Sequence, residues 1–317
     1  MSSTPAFYDH DRVAALLDYR GCTMAVRQAM IELSTGGSAQ PLRQVVDIDA
    51  GRKFGVMPGS LGDGFGAKLI SVFEDSARPG RSRHRGVVVA FDRATGQIEC
   101  IADAEAVTTI RTGCASAAAS DALARADAET LVVYGTGTQA ESHIRALNLV
   151  RPLRRIIVWG RSVERAEALA ARLSPELGIA IEGIADGRAA AAEADIICTV
   201  SSASRPILFR DWVRPGTHIN LVGSSYPGPV EIDTALVAAG RYFADYRPSV
   251  LAQAAEFLVA REAGAVDESH VVGEIGQVFA GDLAGRRTAE EITIYKSLGH
   301  VVQDLAAVAY LHARAKA

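Results

Sequence analysis

The amino-acid sequence predicts an α/β protein, with a doubly wound parallel sheet joined to a second domain of mixed α and β structure. Three observations carry this. A strand-like run, Leu131-Val-Val-Tyr134, enters a glycine turn and then an amphipathic helical stretch from Glu141 to Val150. Short apolar runs go on alternating with helical patterns as far as Gly223. Before Ala128 the pattern is different, with successive strand-like runs separated by short turns. Alternating strands and helices make parallel sheets, whereas runs of strands make antiparallel or mixed ones.

From the N-terminus, Asp18 is placed to cap a helix over Gly21 to Thr35, which Gly36-Gly37 ends. Strands are expected over Gln44 to Ile48, Lys53 to Met57, Ala67 to Phe73, Val87 to Phe91 and Ile98 to Ile101. Asp92-Arg-Ala-Thr-Gly-Gln97 joins the last two, with glycine well placed for a hairpin loop. An Ala- and Ser-rich helix from Ala104 to Leu123 leads into the parallel part.

There the sequence reads Gly135-Thr-Gly137-Thr138-Gln139-Ala140. Gly135 permits the tight turn, and Gly137 lets backbone approach a pyrophosphate. Ala140 lets the helix pack close to its strand. Free N–H groups at the helix start, Thr138 and Gln139 among them, suit phosphate oxygens. The pattern alone is equally a tight turn, but strand, turn and helix together point to a dinucleotide-binding Rossmann domain. Arg155 to Trp159, Ala194 to Val200 and His218 to Gly223 read as further strands, with a helix over Ser162 to Leu173. Thr199, Val200, Ser201, Val222 and Gly223 then fall at the carboxyl edge of the sheet, where ligands bind. Ala289 to Ala313 reads as one long helix interrupted near Leu298-Gly299, returning to the N-terminal domain. The expected domains are 1–120 with 290–317, for substrate and dimerisation, and 121–289 for NAD(P).

The chain has 317 residues, 49% of them hydrophobic, and a net charge of −4. That suffices for two domains with a large core, and gives no reason to expect nucleic acid or an anionic membrane as partner. No apolar run reaches membrane-spanning length, and Met1-Ser-Ser-Thr-Pro5 lacks a signal pattern. Cys22, Cys100, Cys114 and Cys198 are scattered, as expected for buried thiols of a cytoplasmic protein rather than a metal site or a disulfide framework.

Lys and Arg total 33, yet only Lys53, Lys68, Lys296 and Lys316 are lysines. A lysine in so Arg-rich a chain suggests a need for the amine. Lys68 stands within Phe65-Gly-Ala-Lys-Leu-Ile-Ser-Val-Phe73. It is either a snorkelling edge residue or a cation facing a cleft, paired with a substrate carboxylate. Arg43 and Arg111 each read alone as surface arginines; with Lys68 they make a carboxylate clamp. His84, just before a strand, is a solvated loop residue or a proton donor to a reacting nitrogen. The strand ending at Trp159 is followed by Gly160-Arg161-Ser162 with no acidic residue at the turn. Arg161 and Ser162 there suit a 2′-phosphate, so NADP is the preferred cofactor and NAD a possible one.

These motifs carry a resemblance. Pro41-Leu-Arg43, Val56-Met-Pro58, Ala67-Lys-Leu69, Arg111-Thr112, Gly135 to Ala140, Pro206-Ile-Leu208, Ile219 to Gly223 and Lys296-Ser297-Leu-Gly299 resemble, at consistent spacing, the ornithine cyclodeaminase/mu-crystallin family. The resemblance implies a Rossmann domain plus a domain built from both chain ends that also forms a homodimer. It implies that Arg43, Lys68 and Arg111 hold a substrate carboxylate, and that Thr112, Ser297 and Gly299 join the cofactor site. Cyclodeaminases of the family carry Asp where this chain has Ser225, and Lys where it has Pro229; ketimine reductases of the family also have serine there. A serine cannot supply the charge that steers cyclisation of an amine. The reading is an NAD(P)-dependent oxidoreductase acting on the C=N or CH–NH bond of a small imino or amino acid, with Lys68, His84 and Ser225 at the chemistry and no metal. The alternatives are a redox-neutral ornithine cyclodeaminase and a non-catalytic, crystallin-like binder of small ligands.

Overall fold

The computed structural model describes residues 4–49, 52–62, 64–73 and 84–317, the side chain of His84 excepted. The chain divides into two units, Met1–Arg111 with His300–Ala317, and Thr112–Gly299.

In the first unit β1 (Ala6–Tyr8) leads into α1 (His10–Leu16) and α2 (Tyr19–Ser34). The Asp18 carboxylate caps α2 by accepting from the Gly21 N–H at 2.8 Å, satisfying a donor the helix leaves open. Then come β2 (Ser38–Ala39), β3 (Gln44–Asp49), β4 (Arg52–Leu61), β5 (Gly64–Val72), β6 (His84–Asp92), β7 (Ile98–Asp103) and α3 (Ala104–Leu123). The strand order is β1-β7-β6-β5-β4-β2, with β3 also on β4. Pairing is antiparallel except for β1 beside β7. The hairpin between β6 and β7 turns on Asp92, whose carboxylate accepts from the Thr95 N–H at 2.6 Å.

The second unit alternates strand and helix: β8 (Thr130–Tyr134), α4 (Thr138–Leu147), β9 (Arg155–Trp159), α5 (Val163–Leu177), β10 (Ala180–Ile184), α6 (Gly187–Glu193), β11 (Ile196–Thr199) and β12 (His218–Leu221). It continues with α7 (Thr234–Ala239), β13 (Arg241–Ala244), α8 (Arg247–Gln253), α9 (Ala255–Glu262), β14 (Val271–Glu274), α10 (Ile275–Ala280) and β15 (Thr293–Lys296). The sheet order is β10-β9-β8-β11-β12-β15-β13-β14, and every pair is parallel. The connection reverses direction between β8 and β11, so the loops after these two strands flank the crevice where such sheets take ligands. The central strands β8, β11, β12 and β15 are buried almost throughout, their polar residues His218, Asn220 and Thr293 included.

The expectation of one helix over 289–313 is corrected. Residues 293–296 form β15, buried between β12 and β13, and the helix proper is α11 (Val301–Lys316). Ile292-Thr-Ile-Tyr295 is β-branched and aromatic, the composition of a buried strand, and Gly299 breaks the run at φ 77°. The later half of α3 bonds within the parallel unit: Ser116 Oγ lies 2.9 Å from His143 Nε2, and Asn220 Nδ2 donates to Ser120 Oγ at 2.9 Å. The divide between the two compact units falls at Arg111/Thr112 and Gly299/His300.

α11 returns to the first unit and lies against β4, β5, β6 and α2. Two glycines permit this approach. A Cβ on Gly59 would stand 2.6 Å from Val301 Cγ1, and one on Gly66 would stand 2.9 Å from Leu305 Cδ2 and 2.0 Å from the Val89 carbonyl oxygen. Alternation along β5 puts Lys68 on the same face as Gly66, under α11.

Candidate active site

In the first unit Lys68 and Arg111 meet the Asp304 carboxylate of α11, and the Arg43 charge acts on Lys68. Lys68 is only 4% exposed and Arg111 5%. Lys68 Nζ donates to Asp304 Oδ1 at 3.2 Å and to Thr108 Oγ1 at 2.6 Å. Arg111 Nε donates to the same Asp304 oxygen at 3.0 Å, and its Nη1 to Gln303 Oε1 at 2.8 Å. Asp304 is fully buried. Burial lowers the Lys68 pKa to about 8; Asp304 opposes the fall, while Arg111 and then Arg43 deepen it. Arg43 is half-buried just ahead of β3. The structure thus brings together the three cations predicted from sequence. Lys68 does not snorkel: its amine is buried under a helix and paired. His84 opens β6 with its backbone, and its side chain lies outside the described residues.

In the second unit the glycine turn has the predicted form. Gly135 sits at φ 149°, and a Cβ there would meet Val200 at 2.9 Å. Gly137 caps α4 without a side chain, and the space where its Cβ would stand is open. Ala140 is fully buried against the sheet. His143 accepts no proton readily: burial lowers its pKa to about 4. Its Nδ1 faces the Gln139 carbonyl at 2.7 Å and so carries the hydrogen, leaving Nε2 to accept from Ser116. This chain ties the start of α4 to α3. Gly160 touches the same turn, since its Cβ would stand 2.7 Å from Thr136 Cγ2. Beyond it Arg161 is exposed. Ser162 caps α5, accepting from the Arg165 N–H at 3.3 Å, and its hydroxyl donates to Glu164 at 2.6 Å. A carboxylate therefore does stand by this turn, two residues beyond Ser162, the last of those read for it.

The other loops at the carboxyl edge are lashed by buried acids. Glu231 accepts from the Ser201 N–H at 2.8 Å, the Ser201 hydroxyl at 2.6 Å and the Gly223 N–H at 2.8 Å, joining the loops after β11 and β12. Burial raises its pKa, and the Ser201 hydroxyl opposes that. Glu256 accepts from the Ser224 hydroxyl at 2.9 Å, the Glu231 N–H at 3.1 Å and Lys296 Nζ at 3.0 Å. Lys296 also donates to the Ser224 carbonyl at 2.7 Å. Asp245 accepts from the Leu298 and Gly299 N–H groups at 2.5 and 2.9 Å, shaping the loop that carries Ser297. Thr199 and Thr112 are buried, while Val200 and Val222 are half-buried on their loops. Ser225 is half-buried on the loop after β12, and it is Ser224, not Ser225, that engages Glu256 and Lys296.

This edge fits a dinucleotide. The open N-terminus of α4 offers N–H donors to phosphate, and Gly137 leaves the approach clear. Gln139 Oε1 and Ser297 Oγ are buried with no hydrogen-bond partner among the described residues, a cost that a bound polar ligand would relieve.

The family model described as "Ornithine cyclodeaminase/mu-crystallin family" matches residues 4–317. The chain belongs to the ornithine cyclodeaminase/mu-crystallin family. Within it, a Delta(1)-pyrroline-2-carboxylate reductase of Paracoccus denitrificans is 30% identical over 315 residues, covering 98% of this chain and 97% of that protein. The structure of a Thermococcus litoralis Delta(1)-pyrroline-2-carboxylate reductase in complex with NADH and L-proline superposes with TM-score 0.93 at 26% identity, over 98% of this chain and 97% of the other. An archaeal alanine dehydrogenase dimer with bound NAD superposes with TM-score 0.93 at 25% identity, over 98% of this chain and 96% of the other. These family members share the two-part α/β architecture along nearly the whole chain.

Sequence reasoning missed Asp304, Gln303 and the three buried acids. Gln303-Asp304 is a polar pair inside the apolar run Val301 to Val308, and that interruption was the available signal. Glu256 and Asp245 lie far along the chain from the loops they hold, Glu231 lies 30 residues from Ser201, and nothing local marks them.

Proposed function

We propose that the chain is a nicotinamide-dependent oxidoreductase that interconverts a small α-imino acid and the corresponding amino acid. The observation that carries this is the buried set Lys68, Arg111 and Asp304, in which two cations share one carboxylate oxygen. Two buried cations against one anion favour a further carboxylate. Lys68 and Arg111, with Arg43 beside them, hold that carboxylate and so orient the C=N carbon; fixed geometry supplies much of the rate. When bound, the nicotinamide supplies or takes the hydride. Gly135 to Ala140 would hold the pyrophosphate, and the loops of Val200, Ser201, Val222 and Gly223 would flank the ring, with Thr112, Ser297 and Gly299 at the same edge. His84, or a water it orients, gives or takes the proton at nitrogen. A relative named for reduction of a cyclic imino acid, and a solved one holding NADH and L-proline, support the substrate class. Ser225 supplies no charge to steer cyclisation, which disfavours the cyclodeaminase reading.

The cofactor proposed is NADP(H) ahead of NAD(H), because Arg161 stands exposed where a 2′-phosphate would project. Glu164, held by Ser162, is the observation that favours NAD(H) instead, since a carboxylate there accepts from ribose hydroxyls. The partner proposed is a second copy. β3 is exposed along its whole length, with Val45, Val46 and Ile48 each more than half exposed. An apolar edge strand of this kind calls for cover, and a dimer is seen in the archaeal neighbour. No described helix is long and apolar enough to cross a membrane. The four cysteines are buried and none is in a disulfide, which supports a reducing, cytoplasmic setting.

Turnover of Δ1-pyrroline-2-carboxylate or an acyclic imino acid, followed through reduced-cofactor absorbance, tests the activity. Lys68→Ala and Arg111→Ala are expected to lose at least a hundredfold in kcat/KM with the fold retained by circular dichroism. Near-wild-type kcat/KM in either variant contradicts the clamp, and rapid release of ammonia and proline from ornithine with catalytic NAD contradicts the reductase reading. Calorimetry decides the cofactor: NADPH is expected to bind more tightly than NADH, with Arg161→Ala removing the difference, and equal or tighter NADH binding contradicts it. Sedimentation is expected to give twice the 33.4 kDa chain mass; a monomer contradicts the partner.

A further inference from the structure

Lys68 and Arg111 are both buried, and the sole carboxylate bonded to either among the described residues is that of Asp304. Their other partners, Thr108 and Gln303, are neutral. Among the described residues the buried cluster therefore carries one positive charge more than its carboxylate answers, an arrangement that low-polarity surroundings penalise. Arginine does not give up its proton, so relief falls to the lysine. We propose that binding of the substrate carboxylate is coupled to proton uptake at Lys68, with Asp304 as the positioning residue that sets the pH range of the coupling. The proposal rests on the carboxylate-clamp reading above.

Among the described residues, the groups that act on Lys68 come from several elements. Asp304 of α11 favours its charged form, while Arg111 of α3 and Arg43 ahead of β3 disfavour it. On the neighbouring strands its register partners are Met57 of β4 and Val88 of β6, both buried and apolar. Burial is the largest influence and brings the amine to about 8. An incoming carboxylate cancels the excess charge and raises that value. Below pH 8 Lys68 is charged with or without ligand, so affinity is level. Above pH 8 the free protein has lost the proton and must take it back to bind, so affinity falls by about tenfold per pH unit until the raised value is reached. Without the Asp304 charge the fall begins at lower pH.

The test is calorimetric titration of the NADH-saturated protein with pyrrole-2-carboxylate, a planar carboxylate whose ring N–H does not ionise in this range. It is run from pH 6.5 to 9.5 in two buffers of different ionisation heat. At pH 9 the wild type is expected to take up close to one proton, with Kd about tenfold weaker than at pH 7. Asp304→Asn is expected to move the onset of weakening down by a pH unit or more. Lys68→Arg keeps the charge and is expected to bind with no proton uptake and a level Kd. If Asp304→Asn fails to fold, the wild type and Lys68→Arg still decide the coupling. Binding with a level Kd and no uptake in the wild type overturns the coupling and leaves the clamp standing. Equal uptake in Lys68→Arg places the proton elsewhere and overturns the assignment. Absence of any carboxylate binding overturns the clamp and the coupling together.

Discussion

One oxygen of Asp304 receives both Lys68 and Arg111 at 3.2 and 3.0 Å, out of water, and the first unit is arranged around that meeting. The three residues come from a strand, a helix and the final helix of the chain. Each would be costly to bury alone, and none would hold its position without the others. The contact needs α11 to lie close on the sheet, which Gly59 and Gly66 allow because any side chain there would strike Val301 or Leu305. A shared carboxylate orients two cations at once yet neutralises only one of them. On the proposed reading, the resulting excess of charge is what a substrate carboxylate would answer.

The second unit solves a related problem with the signs reversed. Its ligand edge consists of loops, and loops must be fixed if a cofactor is to be held in one geometry. Glu231 does this by accepting three donors from two loops, and Glu256 in turn holds the Glu231 N–H and the Ser224 hydroxyl. Lys296, whose amine reaches Glu256 from the end of β15, compensates that buried charge. Removing Glu231 alone would leave buried N–H groups unanswered, a larger cost than the mean worth of a hydrogen bond. The lysine that sequence composition singled out beside Lys68 thus has a supporting place in the parallel unit.

Much of this was legible in the sequence where the determinants are local. The glycine turn at Gly135 to Ala140, the Asp18 cap and the hairpin at Asp92 to Gln97 each lie within a few residues of the structure they specify. Arg43, Lys68 and Arg111 were identifiable because a lysine is rare in this chain and a family pattern surrounds each. The final segment was misread because Thr293 to Lys296 is too short for strand periodicity to show, and its burial between β12 and β13 is decided by distant residues. Asp304 was missed for the same reason: its two cations lie 236 and 193 residues away. Glu164 was passed over because the turn was read as ending at Ser162, whereas the first turn of α5 brings the Glu164 carboxylate back to that hydroxyl.

The central claim is that this protein recognises its substrate through a carboxylate captured by Lys68 and Arg111. It is tested most directly by comparing two imines that differ only in that group, Δ1-pyrroline-2-carboxylate and 1-pyrroline, as oxidants of the reduced cofactor. Loss of two charge-assisted hydrogen bonds of about 2 kcal/mol each predicts that kcat/KM falls about a thousandfold for the ring without the carboxylate. Equal kcat/KM for the two imines would contradict the account.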